Sequence, residues 1–339
     1  MFKNKKAIVI LILFTLTITL SLTTKMKAED RTVVDMIGRE VKVPEKVERV
    51  ITTYTPATQF VMALGADDRL VSGASGLPNQ TIFTKINPKI DELPNVGSKN
   101  KGVNIESIME LNPDLVIMFP HGDGIETAAR LKELGIPTIV INPESFSQIR
   151  ETNKLLGKAL NLEEKAKKVD EQYQKILEIS KETQDISESE RKKVYFANSE
   201  LLDTVGENIL QTDLIEKAGA INPAKKAKNG FIKASSEELI KWNPDQIIVS
   251  QFYRKSIDKL KSEEKYQSIS AFKNDKVHRV PSNLEPWDYP SPSSALIIPW
   301  LAKKVYPEKF ADLSLEKIIN DFYKVLYGKT FTEYDGELK

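Results

Sequence analysis

The distribution of apolar and polar residues predicts short buried strands that alternate with helices. Apolar runs typical of such strands lie at 47–52, 115–119, 137–141, 193–197, 246–249 and 277–281. A strand that is apolar along its whole length is typical of a parallel sheet that is covered on both faces. The alternation of strand and helix therefore predicts an α/β fold with two mainly parallel sheets, one in each half of the chain.

One segment of the first half recurs in the second half at an offset of 131 residues. Residues 106–119 read ESIMELNPDLVIMF, and residues 237–250 read EELIKWNPDQIIVS. In each copy a polar cap, Asn104 or Ser235, begins a short helix, and the Asn-Pro pair ends it before an apolar strand. Because internal repeats reflect repeated structure, the chain is expected to fold as two lobes of the same architecture.

A different period predicts one long helix between the two halves. Its apolar face is formed by Ala166, Val169, Tyr173, Ile176 and Ser180. These positions recur at steps of three and four, and residues 161–164 have the spacing of a capping box at the start of the helix. About 22 residues span roughly 33 Å, and such a stiff bridge predicts a cleft that barely closes. The expected division is a leader at 1–28, a first lobe at 29–160, a bridging helix at 161–187 and a second lobe at 188–339.

The amino terminus has the pattern of a secretory signal. Residues 3–6, three of which are lysines, precede an apolar run at 7–22. Ala28 suits the last position before a cleavage site, but Met26 is larger than the residue usually found two positions earlier. The alternative is an uncleaved anchor, although the run of 16 residues is shorter than the ~20 residues that span a bilayer. We expect export to the periplasm or the cell surface, with cleavage favoured.

The composition excludes several kinds of function. The whole chain carries a net charge of +1, but removal of the leader leaves 44 basic and 48 acidic residues. A mildly acidic body without a basic cluster argues against nucleic-acid binding. The absence of cysteine excludes disulfides, thiolate metal sites and a lipid-modified cysteine.

Enzymatic motifs are missing as well. The two histidines, His121 and His278, lie in different halves, and His278 falls in a predicted strand. The sequence contains no GxSxG, GxGxxG or GxxxxGK[ST] motif. We therefore expect neither a catalytic site nor a bound cofactor.

Motifs along almost the whole chain carry a family resemblance. They are VVDMIGREVKVPEKVERVI (33–51), ALGADDRLVSG (63–73), VGSKNKGVNIESIMELNPDLVI (96–117), LKELGIPTIVI (131–141), AGAIN (218–222), SSEELIKWNPDQIIV (235–249) and ISAFKNDKVHRVP (269–281). In this order they resemble the substrate-binding proteins of iron-siderophore, haem and cobalamin ABC importers. The resemblance implies two α/β lobes bridged by one helix. It also implies a monomer that is not an enzyme and that delivers a small metal complex to a permease dimer in the membrane.

The resemblance further implies one docking glutamate in each lobe, which contacts arginines of the two permease subunits. By motif position these residues are Glu106 and Glu237. A two-fold symmetric transporter offers the same basic pocket twice, so a pseudo-symmetric carrier should offer the same acid twice. The alternative is that each acid only favours the dipole of its own helix, by about 0.3–1 kcal/mol.

Ligands of open α/β sheets bind at the loops that follow the carboxyl ends of the strands. The candidate ligand-binding residues of these loops are Tyr54, Lys99, Phe119, His121, Tyr253, Arg254, Trp287 and Asp288. Trp287 and its neighbour Tyr289 are candidates for stacking on a planar ligand, unless they pack against the flanking prolines. Arg254 and Lys99 are candidates for neutralising an anionic complex, unless they are simply solvated.

Two of these side chains also have a possible role at a metal. His121 is a candidate axial ligand of haem iron or hydrogen-bond partner, and Tyr54 a candidate phenolate ligand of ferric iron. The alternative for both residues is that they have no role in binding.

Two kinds of ligand remain open. Aromatic and basic loops favour an iron chelate, haem or a corrinoid, and this is the first expectation. Residues 291–310, SPSSALIIPWLAKKVYPEKF, resemble a branch of the family that includes molybdate or tungstate binders. A tetrahedral oxyanion would need only a few donors, such as Arg254, Lys99 and backbone amides. A cell-surface scaffold without a transport role is the remaining alternative.

Overall fold

A computed structural model describes residues 30–73, 81–98, 102–227 and 229–338. The predicted leader at 1–28 and the candidate ligand residue Lys99 lie outside these described residues. Within them, no helix is both long enough and apolar enough to span a bilayer.

Short strands alternate with helices along the described chain. The strands are β1 (Arg31–Val34), β2 (Glu40–Val43), β3 (Val50–Thr52), β4 (Leu70–Ser72), β5 (Gly97–Ser98), β6 (Gly102–Val103), β7 (Leu115–Met118), β8 (Thr138–Val140), β9 (Val194–Ala197), β10 (Asp203–Val205), β11 (Phe231–Lys233), β12 (Gln246–Val249) and β13 (Val277–Arg279). The α-helices are α1 (Thr55–Ala63), α2 (Thr81–Ile86), α3 (Ile105–Glu110), α4 (Gly124–Glu133), α5 (Phe146–Ala159), α6 (Glu163–Glu182), α7 (Leu210–Lys217), α8 (Ser236–Trp242), α9 (Ile257–Lys261), α10 (Ser270–Lys273), α11 (Ile297–Val305) and α12 (Leu315–Tyr327). Short 3₁₀ turns lie at Asp67–Arg69, Ile90–Glu92, Glu264–Tyr266, Pro292–Leu296 and Thr332–Tyr334.

Each lobe is built on a parallel sheet. The first sheet has the strand order β4-β3-β7-β8 and the second has the order β13-β12-β9, with all neighbours parallel. The central strands β7 and β12 are buried at every position, which explains their apolar sequences. Among the described residues, three two-stranded antiparallel pairs lie outside these sheets, namely β1-β2, β5-β6 and β10-β11. The predicted pair of α/β lobes is confirmed.

The repeated segment forms the same structure in both lobes. Asn104 caps α3 and Ser235 caps α8 through side-chain hydrogen bonds, as predicted. A left-handed asparagine follows each helix, since Asn243 is the C-cap of α8 and Asn112 comes directly after Leu111, the C-cap of α3, each with φ of 44°. Asparagine tolerates this conformation better than most residues, and the proline that follows prevents the helix from continuing.

The aspartate of the Asn-Pro-Asp motif ties the segment to the first strand of its sheet. The Asp114 carboxylate accepts the backbone N–H groups of Glu48 and Arg49 at 2.8 and 2.9 Å. In the second lobe, the Asp245 carboxylate accepts the N–H of Lys193 at 2.8 Å. The motif therefore ends a helix and sets the register of a neighbouring strand in both lobes.

The bridging helix α6 is shorter than predicted, and it begins differently. Its inward face buries Ala166, Val169, Tyr173, Ile176 and Ser180, as expected. The predicted capping box is wrong, because Asn161 adopts a left-handed conformation with φ of 59° and Leu162 is the N-cap residue without a side-chain cap. At about 1.5 Å per residue, the 20 residues of α6 span about 30 Å.

One cluster of buried apolar side chains runs through both lobes. It includes Phe60 and Ile117 of the first lobe, Tyr173 of α6, Phe196 of the second lobe and Phe322 of α12. The C-terminal helix α12 packs against α6 and also against α1 of the first lobe. The two lobes are therefore joined by a continuous core as well as by α6.

A buried carboxyl group lies within this shared core. Gln59 of α1 donates a hydrogen bond to Glu285 at 2.7 Å, and the Tyr327 hydroxyl of α12 lies 3.3 Å from the same carboxyl oxygen. Burial raises the pKa of Glu285, and the hydrogen bonds oppose this shift. Glu285 thus links the first lobe to the C-terminal helix through a carboxyl group that favours its protonated form.

Candidate ligand-binding cleft

Aromatic side chains from both lobes meet at the carboxyl edges of the two sheets. We call Tyr54, Phe119, His121, Phe252 and Tyr289 the aromatic cluster. The ring centroids of Tyr54 and Phe119 are 4.3 Å apart, and those of Phe119 and His121 are 5.4 Å apart. From the second lobe, Tyr289 stacks on Phe252 at 4.8 Å and lies 6.4 Å from Tyr54. The cluster therefore spans the boundary between the lobes.

The two tyrosine hydroxyls of the cluster are neutral at physiological pH. Burial, and then the neighbouring Tyr289 and Glu144, raise the pKa of Tyr54. Burial and then Asp288 raise the pKa of Tyr289 to about 12. Neutral phenols both donate and accept hydrogen bonds. These shifts disfavour the predicted phenolate role of Tyr54 and make both residues hydrogen-bonding partners with apolar rings.

A groove of about 840 Å³ adjoins the cluster. It is lined by His121, Asn142, Glu144, Ser145, Ser147, Gln148, Glu151, Asn208, Ile209, Gly230 and Phe231. These residues come from both lobes, and Phe231 of β11 exposes most of its ring. The volume lies within the range of about 300–1,000 Å³ that is common for small-molecule sites.

Carboxylates dominate the charge of this groove. Glu144 and Glu151 belong to its lining, and Glu144 lies 3.6 Å from Nε2 of His121. Among the described lining residues there is no lysine or arginine. Arg254 is a mostly exposed side chain that faces Glu200 at 3.5 Å, close to Ser199, whose carbonyl accepts the Arg254 N–H. A ligand in the groove would therefore meet negative charge and aromatic surface.

Phe119 is only 2% exposed, so within the aromatic cluster it packs against Tyr54 and offers little ring face to a ligand. Three further predicted ligand residues are placed away from the cleft surface. Trp287 is 0% exposed, and its Nε1 donates to the Tyr323 hydroxyl at 3.1 Å. Tyr253 is buried in the core of the second lobe. Asp288 is also buried, and burial raises its pKa. These positions offer no ring face or charge to a ligand in the cleft, which argues against the predicted contacts.

Neighbouring residues reach the cluster in their place. Phe252 precedes Tyr253, and Tyr289 follows Trp287 by two positions. Tyr289 is a predicted stacking residue, whereas Phe252 belongs to a predicted site loop but is not among the predicted ligand residues. The sequence carries no signal that distinguishes Phe252 from Tyr253, because the direction of each side chain depends on the turn after β12.

The predicted docking glutamates are exposed at matching positions. Glu106 lies in the first turn of α3 and Glu237 in the first turn of α8. Other residues make the capping hydrogen bonds of both helices, namely Asn104 in α3, and Ser235 with Glu238 in α8. Capping therefore does not require either docking glutamate.

The chain connectivity indicates that both predicted docking glutamates lie toward the carboxyl edges of their sheets. Ile108 of α3 packs in the same small core as alternate residues of β7, and Leu239 of α8 does so with β12. Each helix leads into its strand through a short connection, so it runs back along that strand. The first turns of α3 and α8 consequently lie toward the carboxyl edges of the sheets, where the aromatic cluster also lies.

Known solute-binding proteins resemble the chain over most of its length. A family model described as "Periplasmic binding protein" matches residues 50–284. The molybdate-binding protein MolA of Haemophilus influenzae is 27% identical over 326 residues, which cover 89% of this chain and 92% of MolA. A vitamin B12-binding protein of Yersinia pestis is 24% identical over 206 residues, which cover 61% of this chain and 70% of that protein.

Solved structures of such proteins share the fold. A periplasmic solute-binding protein from Veillonella parvula has a TM-score of 0.79 and 27% identity, and the match covers 88% of this chain and 93% of that one. Molybdate-bound MolA of H. influenzae has a TM-score of 0.80 and 23% identity, with coverages of 91% and 100%. CeuE of Helicobacter pylori with bound Ni(II) has a TM-score of 0.76 and 23% identity, with coverages of 90% and 99%. These relatives are binding proteins and not enzymes, as the sequence predicts for this chain.

Proposed function

The chain belongs to the periplasmic binding protein family and is a solute-binding protein of an ABC importer, and we propose that its ligand is a chelated metal compound. The proposal covers an iron chelate, haem or a corrinoid, held between the lobes by the aromatic cluster and delivered outside the cytoplasm to the permease. The single observation that carries it is the meeting of five aromatic rings from both lobes beside an 840 Å³ groove.

Stacking and hydrogen bonding both support an organic complex. A ligand ring stacked on one aromatic side chain gains about 0.5–1.5 kcal/mol beyond the area it buries. The neutral hydroxyl of Tyr289 is a candidate hydrogen-bond donor and acceptor for such a complex. The carboxylates of Glu144 and Glu151 favour a complex that is neutral or positively charged where it faces the groove.

Molybdate or tungstate is the second candidate ligand. The observation that favours it is the similarity to the molybdate-binding MolA across 89% of this chain. An oxyanion needs several donors, and the mostly exposed Arg254, two residues after Phe252 of the aromatic cluster, is a candidate for one of them. The carboxylates of the groove oppose it, since they repel an anion.

Glu106 and Glu237 are proposed as the two contacts with the permease dimer. Their exposure, their matching positions and their separation from the capping hydrogen bonds support this role. Their location toward the carboxyl edges of the sheets would turn the cleft toward the permease. This geometry suits a carrier that must release its cargo where it docks.

A direct test is titration of the purified protein with a ferric trihydroxamate chelate, haem, cobalamin, molybdate and tungstate, followed by native mass spectrometry and calorimetry. We expect one of the three metal complexes to bind with a dissociation constant of micromolar or below. The variant Phe252→Ala should weaken that binding about tenfold, whereas Tyr306→Phe, which is remote from the cluster, should leave it within twofold. Binding confined to molybdate or tungstate would replace the first candidate with the second.

A further inference from the structure

Two exposed apolar side chains occupy matching positions in the two lobes. Met109 of α3 is 49% exposed and Ile240 of α8 is 39% exposed. They are separated by 131 residues, the offset of the internal repeat, and each follows its docking glutamate by three residues. The repeat therefore preserves an acid and an exposed apolar residue together in both lobes.

Each pair forms one continuous surface. Residues three positions apart on a helix are neighbours on its surface, so Met109 adjoins Glu106 and Ile240 adjoins Glu237. We call each pair an acid–apolar patch. A partner that binds one of these glutamates would consequently approach the apolar side chain beside it.

Packing within the lobe does not account for these two residues. The core-facing position of α3 is filled by Ile108, and that of α8 by Leu239. Both are fully buried, whereas Met109 and Ile240 lie at the next position of each helix and remain open to solvent. A single exposed apolar residue needs no explanation, but a pair at equivalent repeat positions, each next to an exposed acid, indicates a surface that a partner contacts twice.

The chemistry of the partner follows from this arrangement. A surface that binds both patches must present a cationic group next to an apolar pocket, and it must present that combination twice in a two-fold arrangement. A homodimeric permease, or two similar permease subunits, meets this requirement. We propose that Met109 and Ile240 are apolar anchors that enter equivalent pockets of the permease dimer beside the groups that bind Glu106 and Glu237.

This inference rests on the proposed role of the chain as a partner of an ABC permease. It adds a distinct physical contribution to the docking. The glutamates contribute electrostatic attraction, which weakens as the salt concentration rises. Met109 and Ile240 contribute burial of apolar surface, which screening by salt does not remove. The two contributions are therefore separable by experiment.

The test measures binding of the unloaded protein to its permease complex in lipid nanodiscs by biolayer interferometry, so the identity of the ligand does not enter. Met109→Ala and Ile240→Ala should each weaken binding about fivefold, as expected for loss of a half-exposed aliphatic side chain from an interface. The double variant should weaken it about 25-fold, since distant contacts add in free energy. All three variants should keep the salt dependence of the wild type.

Leu134→Ala is the matched control. Leu134 is 50% exposed and is the C-cap residue of α4, outside both repeated segments, so its replacement should change binding less than twofold. Glu106→Gln combined with Glu237→Gln should weaken binding and flatten its salt dependence. Thermal unfolding of every variant should stay within about 2 °C of the wild type, because the altered side chains are exposed.

The outcomes separate the two proposals. Loss of binding in the glutamate variants with wild-type binding in Met109→Ala and Ile240→Ala would overturn the apolar anchors and keep the docking glutamates. An effect at one position alone would overturn the two-fold arrangement. No binding by the wild-type protein would overturn the proposed function itself, and the apolar anchors with it.

Discussion

Replacement of the buried Glu285 by glutamine should stabilise the protein at neutral pH. Glu285 accepts a hydrogen bond from Gln59 at 2.7 Å, and its pKa is raised by burial between α1 and α12. In the unfolded chain the carboxyl ionises near its ordinary pKa of about 4.3, while the folded protein retains the proton to a higher pH. Glutamine keeps an oxygen acceptor for Gln59 and has no proton to lose.

The sign and the size of the effect follow from proton linkage. Below the ordinary pKa of glutamate both states are protonated, so the raised pKa makes its full contribution to folding there. As the pH rises toward the folded-state pKa, the unfolded chain has lost the proton that the folded protein keeps. Wild-type stability then falls by at most about 1.4 kcal/mol per pH unit relative to Glu285→Gln. Between pH 5 and pH 7 the difference should therefore grow by up to about 2.7 kcal/mol.

Urea unfolding at pH 5, 6 and 7 measures this difference for the wild type and Glu285→Gln. The advantage of the glutamine variant should increase with pH until the carboxyl of the folded protein ionises. Glu110→Gln serves as the control, because Glu110 is exposed at the end of α3, and it should show no such trend. A difference between Glu285→Gln and the wild type that stays constant or shrinks with increasing pH would refute the burial argument.

Three further predictions concern the cleft and the repeat. Tyr289→Ala should weaken ligand binding about tenfold in calorimetry through loss of its stacked ring, and unchanged affinity would remove Tyr289 from the site. Trp287→Phe should lower the free energy of unfolding by about 1–3 kcal/mol, because the Tyr323 hydroxyl loses its buried donor. Ligand affinity should stay within twofold, and a selective loss of affinity would restore the predicted stacking role of Trp287. Asp114→Ala should lower the free energy of unfolding by about 2–4 kcal/mol, and Asp245→Ala should lower it by about 1–2 kcal/mol. The difference is expected because the Asp114 carboxylate accepts two backbone N–H groups beside the neighbouring strand, whereas the Asp245 carboxylate accepts one. Equal losses in urea unfolding would contradict this reasoning.

The fold was predictable because the Asn-Pro-Asp motif determines local structure by steric and hydrogen-bonding rules. Asn112 and Asn243 end their helices in the same left-handed conformation, and the proline and aspartate that follow have few alternatives. A sequence repeat of this kind therefore predicts the arrangement of helix and strand in both lobes. Asn161 shows where such rules fail, since it had the spacing of a capping box but adopts the left-handed conformation instead.

The site was predictable as a set of loops but not as a set of side chains. Tyr54, Phe119 and His121 meet as expected of residues that follow parallel strands. In the second lobe the loops after the strands direct the side chains of Tyr253 and Trp287 into the core. Those turns depend on long-range packing, including the contact of Trp287 with α12, and no local pattern in the sequence encodes such a contact.

The apolar core that continues from one lobe into the other limits how this receptor can signal that it carries cargo. A protein with freely swinging halves can change its outline on loading, whereas this one has little freedom to do so. The importer would then have to distinguish loaded from empty receptors by local differences in the loops around the cleft. X-ray scattering profiles recorded with and without cargo should accordingly superimpose, with radii of gyration that agree within about 0.5 Å.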